Sequence, residues 1–411
     1  LIPEAVEEFQ IQAGGYNAEY GGANAGIIRQ QLRSGTSGIR LGYAGETDRF
    51  AQVGSKSLSS YSYGYWDHVL TLSGPIGGDR LKIFAAGENQ FQRDPTPTFW
   101  TGFEFPNADF PAALVDGPGG GRPGDTLYAG LGVPGSSINS RYGAIKVPEG
   151  VIPGRMLNRW SLNGTASLDL SPVTVRFGAA LSWQQQRIND LPVQNILDLS
   201  RLPMRDNSND LFNLKSTHLL NPKTFYEINL NYFDARTRQY DPNLQDQTLS
   251  YGDSIQAAKL GYRFYSYMNG QLGLSPTEFR FYGFPYARPG ELIVGGSSVT
   301  GLGVSTNYIK SKQTYIGGSA DITTQYGKHE FKLGSSYQRY TVRLYSIGRL
   351  ENVFLQFISQ PDSARNADSR TRLMQSAGIP NNVGYDVFGN EVDNGFDGPK
   401  HPTFFSGYLQ D

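Results

Sequence analysis

Between residues 160 and 184 the chain alternates apolar and polar positions almost without a break. Val173, Val175, Phe177, Ala179, Leu181 and Trp183 share one phase, against Thr174, Arg176, Gly178, Ala180, Ser182 and Gln184 on the other. Just before them, Trp160, Leu162, Gly164, Ala166, Leu168 and Leu170 oppose Ser161, Asn163, Thr165, Ser167 and Asp169. The same period of two recurs where Tyr226, Ile228, Leu230 and Tyr232 oppose Glu227, Asn229 and Asn231. It recurs again where Phe331, Leu333, Ser335 and Tyr337 oppose Lys332, Gly334, Ser336 and Gln338. Successive side chains of a strand point to opposite faces, so each run predicts a β-strand with one oily and one wet side. Many of these runs exceed ten residues, whereas strands of soluble proteins cluster near about 5–6.

The pattern predicts about ten long strands, at 38–47, 66–76, 81–93, 158–170, 173–188, 208–220, 224–240, 312–325, 330–348 and from 403 onward. Tight turns separate alternate pairs, at Gly77-Gly78-Asp79-Arg80, Ser171-Pro172, Asn221-Pro222-Lys223-Thr224 and Tyr326-Gly327-Lys328-His329. Gly, Pro, Asn and Asp suit such turns through their φ preferences and local hydrogen bonds. The other connections are long: 48–65, 94–158, 189–207, 241–311 and 350–402. Long and short connections alternate, which puts every tight turn on one rim of the sheet and every long loop on the other. Outer-membrane barrels have that asymmetry. Alternation by itself does not say which face is buried, and a soluble β-sandwich is the competing architecture. A propeller would show a repeat of about 40–50 residues, and the chain shows none.

Composition sharpens the choice. Glycine supplies 50 of 411 residues, aromatics 13% and charged residues only 18%. The longest apolar runs, Ile83 to Ala86 and Ala112 to Val115, fall far short of the roughly 20 residues of a spanning helix. A spanning strand needs only about 9–11 alternating residues, and such a signal is compatible with a mean hydropathy of −0.42. With no cysteine, disulfides and Cys-ligated metals are excluded. A net charge of −1 gives no sign of a nucleic-acid partner.

Residues 1–37 have a different texture. Val6-Glu7-Glu8-Phe9 leads to Gly15-Tyr16-Asn17-Ala18-Glu19-Tyr20-Gly21, then Gly26-Ile27-Ile28 and Ser34-Gly35-Thr36. This order and spacing resembles the C-terminal part of the plug domain of TonB-dependent outer-membrane receptors, especially the Oar-like group. Leu72-Ser73-Gly74-Pro75-Ile76 and Phe404-Phe405-Ser406-Gly407-Tyr408-Leu409-Gln410-Asp411 also fit that group's barrel. Arg29, Gln30 and Gln31 depart from it, standing where the family places apolar, β-branched residues. The resemblance implies an all-β fold, a transmembrane antiparallel barrel with the end of an N-terminal plug. Residues 1–37 would be plug and 38–411 the first part of a barrel of 22 strands. About ten strands cannot close such a barrel, because open edges in lipid leave unpaired backbone groups. The chain, which starts at Leu1 and stops at Asp411, is therefore expected to be a segment of a longer receptor.

Candidate chemistry is sparse. His68, His218, His329 and His401 are scattered without a metal-ligand spacing. Gly117-Pro118-Gly119-Gly120-Gly121 lacks the Lys-Ser/Thr of a phosphate loop, and no nucleophile elbow occurs. Asp386, Asn390, Asp393, Asn394 and Asp397 supply the oxygen ligands that suit Ca²⁺, but not the spacing of an EF-hand, and a solvated loop is the plainer reading. Tyr61, Tyr63, Tyr65 and Trp66 suit an interfacial girdle. Tyr262, Phe264, Tyr265, Tyr267, Phe281, Tyr282 and Phe284 either fold the 241–311 loop on itself or capture a ligand.

Neither a catalytic site nor a cofactor is expected. The resemblance implies uptake of an extracellular ligand. Loops capture it, the plug occludes the lumen, and TonB, reached through an N-terminal segment outside this chain, moves the plug. Tyr16, Asn17, Glu19, Tyr20, Gly21, Arg29 and Arg33 would be structural or gating positions. Outer-membrane lipid and the remainder of the barrel complete the expected partners. An adhesion or assembly protein that uses its long loops as an interaction surface is the alternative, and a passive porin a third reading.

Overall fold

A computed structural model describes residues 1–12, 27–50, 56–95, 103–105, 145–147, 149–189, 202–247, 292–294, 297–299, 308–347, 381–386 and 389–411. A 3₁₀ turn at Pro3–Ala5 opens the chain, followed by β1 (Val6–Gln12) and β2 (Ile27–Leu32). These two pair antiparallel as a separate two-stranded sheet. The long strands are β3 (Arg40–Thr47), β4 (Tyr65–Pro75), β5 (Leu81–Gln92), β6 (Met156–Asp169) and β7 (Val173–Arg187). They continue as β8 (Met204–Asn221), β9 (Thr224–Tyr240), β10 (Tyr308–Tyr326) and β11 (His329–Ile347). A short β12 (Asn381–Val383) and β13 (Thr403–Gln410) complete the main sheet, and six further strands of two or three residues pair among themselves outside it.

Strands β3 to β13 form one antiparallel sheet of eleven strands in which each long strand pairs with its neighbours in sequence. β11 carries both β12 and β13 on its far side, along different parts of its length. Each predicted strand is present. β8 and β10 begin earlier than the alternation predicted, at Met204 and Tyr308 rather than 208 and 312. The added residues, Arg205, Asp206 and Asn207 among them, are polar on both phases, so no alternation marks them; ladder pairing to β7 and β9 holds them in the strand.

Register shows what the two faces are. One row across the sheet runs Leu41, Leu72, Ala85, Gly164, Ala179, Phe212, Tyr232 and Ile316. The next runs Ile83, Ala166, Phe177, Leu214, Leu230, Gly318, Tyr337 and Phe405. Their large side chains are exposed: Leu41 at 74%, Leu230 at 52%, Ile316 at 61% and Phe405 at 78%. Trp160 and Trp183 face each other near the long-loop side of this surface, both exposed. On β6 the apolar phase from Trp160 to Leu168 covers roughly 27 Å of strand at about 3.4 Å per residue. At a tilt near 40° that is about 21 Å of height, close to the ~25 Å band of a membrane barrel.

The opposite face is polar and lines a cavity contributed by β6, β7, β8, β9, β10, β11 and β13 together with the β1–β2 hairpin. The sheet therefore curves with its wet side inward. Among the described residues β3 pairs only with β4, and β13 only with β11, so the curved sheet is open along two edges.

Candidate functional site

The hairpin is fastened to the inner wall at its base. Ile2 and Ala5 are fully buried against Val69, Phe84 and Ala86, a small apolar cluster on the otherwise polar face. The Ile2 amide donates to Asn163 Oδ1 at 2.8 Å. Arg33 donates its amide to the Ala5 carbonyl at 2.8 Å and its Nε to the Val6 carbonyl at 3.3 Å. Its own carbonyl accepts from Thr165 Oγ1 at 2.6 Å, and Arg176 donates a guanidinium N–H to the Leu32 carbonyl. Beyond it the Thr36 amide donates to Ser73 Oγ at 2.9 Å. Gly35 passes directly against the backbone of Lys82 and Ile83, where a Cβ would overlap main-chain atoms. Any larger residue would lift the exit of the hairpin off the wall.

Above this base lies a cavity of about 740 Å³ between hairpin and wall. The hairpin contributes Glu8, Gln10, Arg29 and Gln31, because Gln10 pairs with Arg29 and Glu8 with Gln31 in register. Arg29, Gln30 and Gln31 thus all border this cavity. The wall answers with paired polar groups. Lys215 Nζ lies 2.7 Å from Glu227 Oε1, which also accepts from Thr217 at 2.9 Å. Asn213 donates to Asn231 at 2.7 Å, and the Ser336 and Ser406 hydroxyls share a hydrogen bond of 2.8 Å. Deeper on the wall, Glu88 is buried and bound by Arg159 at 3.2 Å and by Ser161 at 2.9 Å. Such pairing keeps the charged groups of the wall internally compensated.

A second assembly stands at the long-loop rim, on the outer face. There the oily band gives way to charges: Asp234 accepts from Arg236 at 2.9 and 2.7 Å, and Asp206 and Asp246 both take Arg238. Residues 241–247, 381–386 and 389–400 fold over this end of the strands. They enclose Tyr240, Leu244, Tyr308, Tyr345, Ile347 and Tyr385. Arg343 is the pin: buried, it donates to the carbonyls of Gly384 at 2.8 Å and Val392 at 2.9 Å and binds Asp393. Burial pushes the Tyr385 phenol up to about 12, with the Glu391 charge adding to the shift.

The candidate residues fall as follows. Arg29 lines the cavity and Arg33 anchors the hairpin; the structure brings both to the lumen. Tyr16, Asn17, Glu19, Tyr20 and Gly21 lie outside the described residues, as do Tyr262, Phe264, Tyr265, Tyr267, Phe281, Tyr282 and Phe284. In the oxygen-rich loop, Asp386 accepts the amide and side chain of Asn390, both at 2.9 Å. Asp393 is held by Arg343, and the Asp397 carbonyl accepts the Gly384 amide. Among the described residues no group of three or more His, Asp or Glu is placed to hold a metal. In the girdle cluster, Trp66 stacks on Phe91 at 4.1 Å with the Arg49 guanidinium 3.8 Å from its ring. Asp48 accepts the amides of Tyr63 and Tyr65, both at 2.7 Å. The wall pairs were not visible beforehand. Their polar phase was, but which residues meet across strands is a matter of register.

No protein-family model and no curated protein matches this chain. Among solved structures it is similar to a copper transporter, OprC, with 11% identity over 84% of this chain and 35% of that one, at a TM-score of 0.42. It is also similar to the outer membrane transporter YddB from Escherichia coli, with 8% identity over 84% and 36% of the two chains and a TM-score of 0.44. A third is the FrpB iron transporter from Neisseria meningitidis, with 10% identity over 84% and 49% and a TM-score of 0.38. The chain thus spans between 35% and 49% of the length of these three structures.

Proposed function

We propose that this chain is the end of the plug and the first part of the barrel of a TonB-dependent outer-membrane receptor, which takes up an extracellular ligand through its lumen. One observation carries the reading: a single curved sheet exposes its large apolar side chains outward and turns a hydrogen-bonded polar wall inward onto a seated hairpin. A soluble sandwich would bury the apolar phase between two sheets. In lipid the same surface is satisfied, and the polar wall becomes a path for solutes.

On this reading residues 1–37 belong to the plug, with Arg33 at its anchor and Arg29 at the path. The rim of tight turns faces the periplasm and the long loops face outside a Gram-negative cell. The edges of β3 and β13 pair with further strands of the same barrel, since unpaired backbone in lipid costs several kcal/mol per group. TonB engages a segment that precedes Leu1 and pulls on the plug, whose anchor hydrogen bonds are few enough to yield. No chemistry is done on the ligand.

The test is uptake by the whole receptor in proteoliposomes, with and without TonB energisation, across ferric siderophores, oligosaccharides and peptides. Energy-dependent accumulation of one class is the expected result. Passive flux of all small solutes would instead indicate a porin. A protein captured by the loops, without any uptake, would favour adhesion or assembly.

A further inference from the structure

Along the polar wall one row breaks the pattern. Leu211, Phe233, Tyr315 and Tyr340 are consecutive partners across β8, β9, β10 and β11. Their phase is that of Asn213, Asn231, Ser319 and Ser336, so they face the lumen. Phe404 on β13 joins them from the next row, opposite Gln338. Tyr315 and Tyr340 lie 5.0 Å apart between ring centroids, and Tyr340 and Phe404 lie 6.0 Å apart, edge to face. The Tyr315 ring lies along the wall over Gly317, in the space that a Cβ there would need. Gly317 thereby lets an aromatic ring lie against the wall. Phe404 is 58% exposed, and Tyr315, Tyr340 and Phe233 are partly exposed. Leu211 at 40% also stays open among the described residues, so burial within the fold does not account for Phe404 and Leu211.

Directly beside the shelf run two rows of hydrogen-bonding groups, neutral except for Lys215 at the end of the second. Asn213 and Asn231 pair at 2.7 Å, Asn229 and Ser319 at 3.4 Å, and Ser336 and Ser406 at 2.8 Å. Charges of both signs balance closely around the cavity, Arg29, Arg176, Lys215 and Lys332 against Glu8, Glu227 and Asp321, with Lys215 held by Glu227 and Arg176 by the hairpin carbonyl of Leu32. Amides and hydroxyls both donate and accept. Aromatic faces next to such a ladder match a ligand with apolar ring faces and a rim of hydroxyls, and the compensated charge does not match an anion.

We propose that this shelf and ladder bind the pyranose rings of a neutral oligosaccharide. The C–H faces of successive sugars stack on Tyr315, Tyr340 and Phe404, and their hydroxyls exchange hydrogen bonds with the Asn and Ser rows. Strands about 4.8 Å apart set the aromatic spacing near the length of one sugar unit. The inference deepens the uptake reading and rests on it for the face that carries solute, but binding itself needs no TonB.

The test uses the whole receptor in detergent, with maltohexaose, cellohexaose and an anionic ferric tricatecholate as probes, by saturation-transfer NMR and calorimetry. At least one hexasaccharide should bind, and the tricatecholate should not compete with it. Tyr340→Ala and Phe404→Ala should each weaken binding about three- to tenfold, whereas Tyr340→Phe should stay within twofold. A heat-induced shift in gel mobility equal to the parent's would show that the variants fold. Failure of both hexasaccharides to bind, or binding indifferent to both alanine variants, overturns the proposal. Sugar binding without energised uptake would refute the transport reading and leave this one standing; energised uptake of the tricatecholate alone would do the reverse.

Discussion

Replacing Leu230 by Lys should separate a lipid-facing sheet from a water-facing one. Leu230 lies on the outer face of β9, flanked across the sheet by Leu214 and Gly318, and is 52% exposed. The apolar phase of β9 runs from Tyr226 to Tyr232, so its centre falls near residue 229. At about 3.4 Å per residue and a tilt near 40°, Leu230 sits roughly 3 Å from the midplane. A Lys at that depth costs about 2–4 kcal/mol, a shift of about 30- to 700-fold in the folding equilibrium. Asn229→Lys, one residue away on the lumen face but opposite Lys215, should cost no more than about 1 kcal/mol. The assay is reversible denaturant unfolding of the whole receptor in lipid vesicles, following tryptophan fluorescence. If Leu230→Lys costs less than about 0.5 kcal/mol, or if the two variants cost the same, the assignment of faces is wrong.

Three other outcomes follow from named contacts. Arg343→Met removes the donor to the Gly384 and Val392 carbonyls; each buried acceptor left unpaired costs about 1–3 kcal/mol. Protease should then cut 384–397 at least tenfold faster than in the parent, and equal rates would show that Arg343 does not pin the loop. Thr165→Val with Arg176→Met removes the wall's side-chain donors to the Arg33 and Leu32 carbonyls. Amide exchange over 27–33 should accelerate while β8 and β9 stay protected; unchanged exchange would leave the anchor elsewhere. The Tyr385 phenol is raised from its ordinary value near 10 to about 12. A raised folded value means stability that is present below pH 10 and lost as pH climbs to 12. The segments 381–386 and 389–400 should therefore become protease-sensitive over that window, and Tyr385→Phe should make the step smaller.

The strand framework was legible because lipid and lumen force a strict alternation. β9 was read from 224 to 240 and occupies Thr224–Tyr240; β7 was read from 173 to 188 and occupies Val173–Arg187. Where that pressure stops, the sequence falls silent. The extensions carry no alternation: Met204 and Tyr308 are buried in the loop core, and Arg205, Asp206 and Asn207 are polar on both phases. The loop core of Tyr240, Tyr308, Tyr345 and Tyr385 draws on four separate stretches of chain, so no local pattern announces it. The shelf was hidden for a related reason. Phe233, Tyr315, Tyr340 and Phe404 each occupy one odd position in a polar phase, and only register lines them up. In the N-terminal segment the apolar residues of Phe9 to Gln12 and Ile27 to Leu32 suit short strands, but the structure starts the first at Val6, and the hairpin's grip through Ile2, Thr165 and Arg176 depends on contacts more than a hundred residues apart in sequence.

The chain has no cysteine, which makes a nitroxide scan of β9 simple. Single Cys substitutions at 226 to 232, spin-labelled in the whole receptor in liposomes, can be tested for collision with oxygen, which partitions into lipid, and with a water-soluble nickel chelate. The account predicts a period of two: oxygen contact high at 226, 228, 230 and 232, nickel contact high at 227, 229 and 231. Nickel dominating at the even positions would contradict it, as would collision rates without alternation.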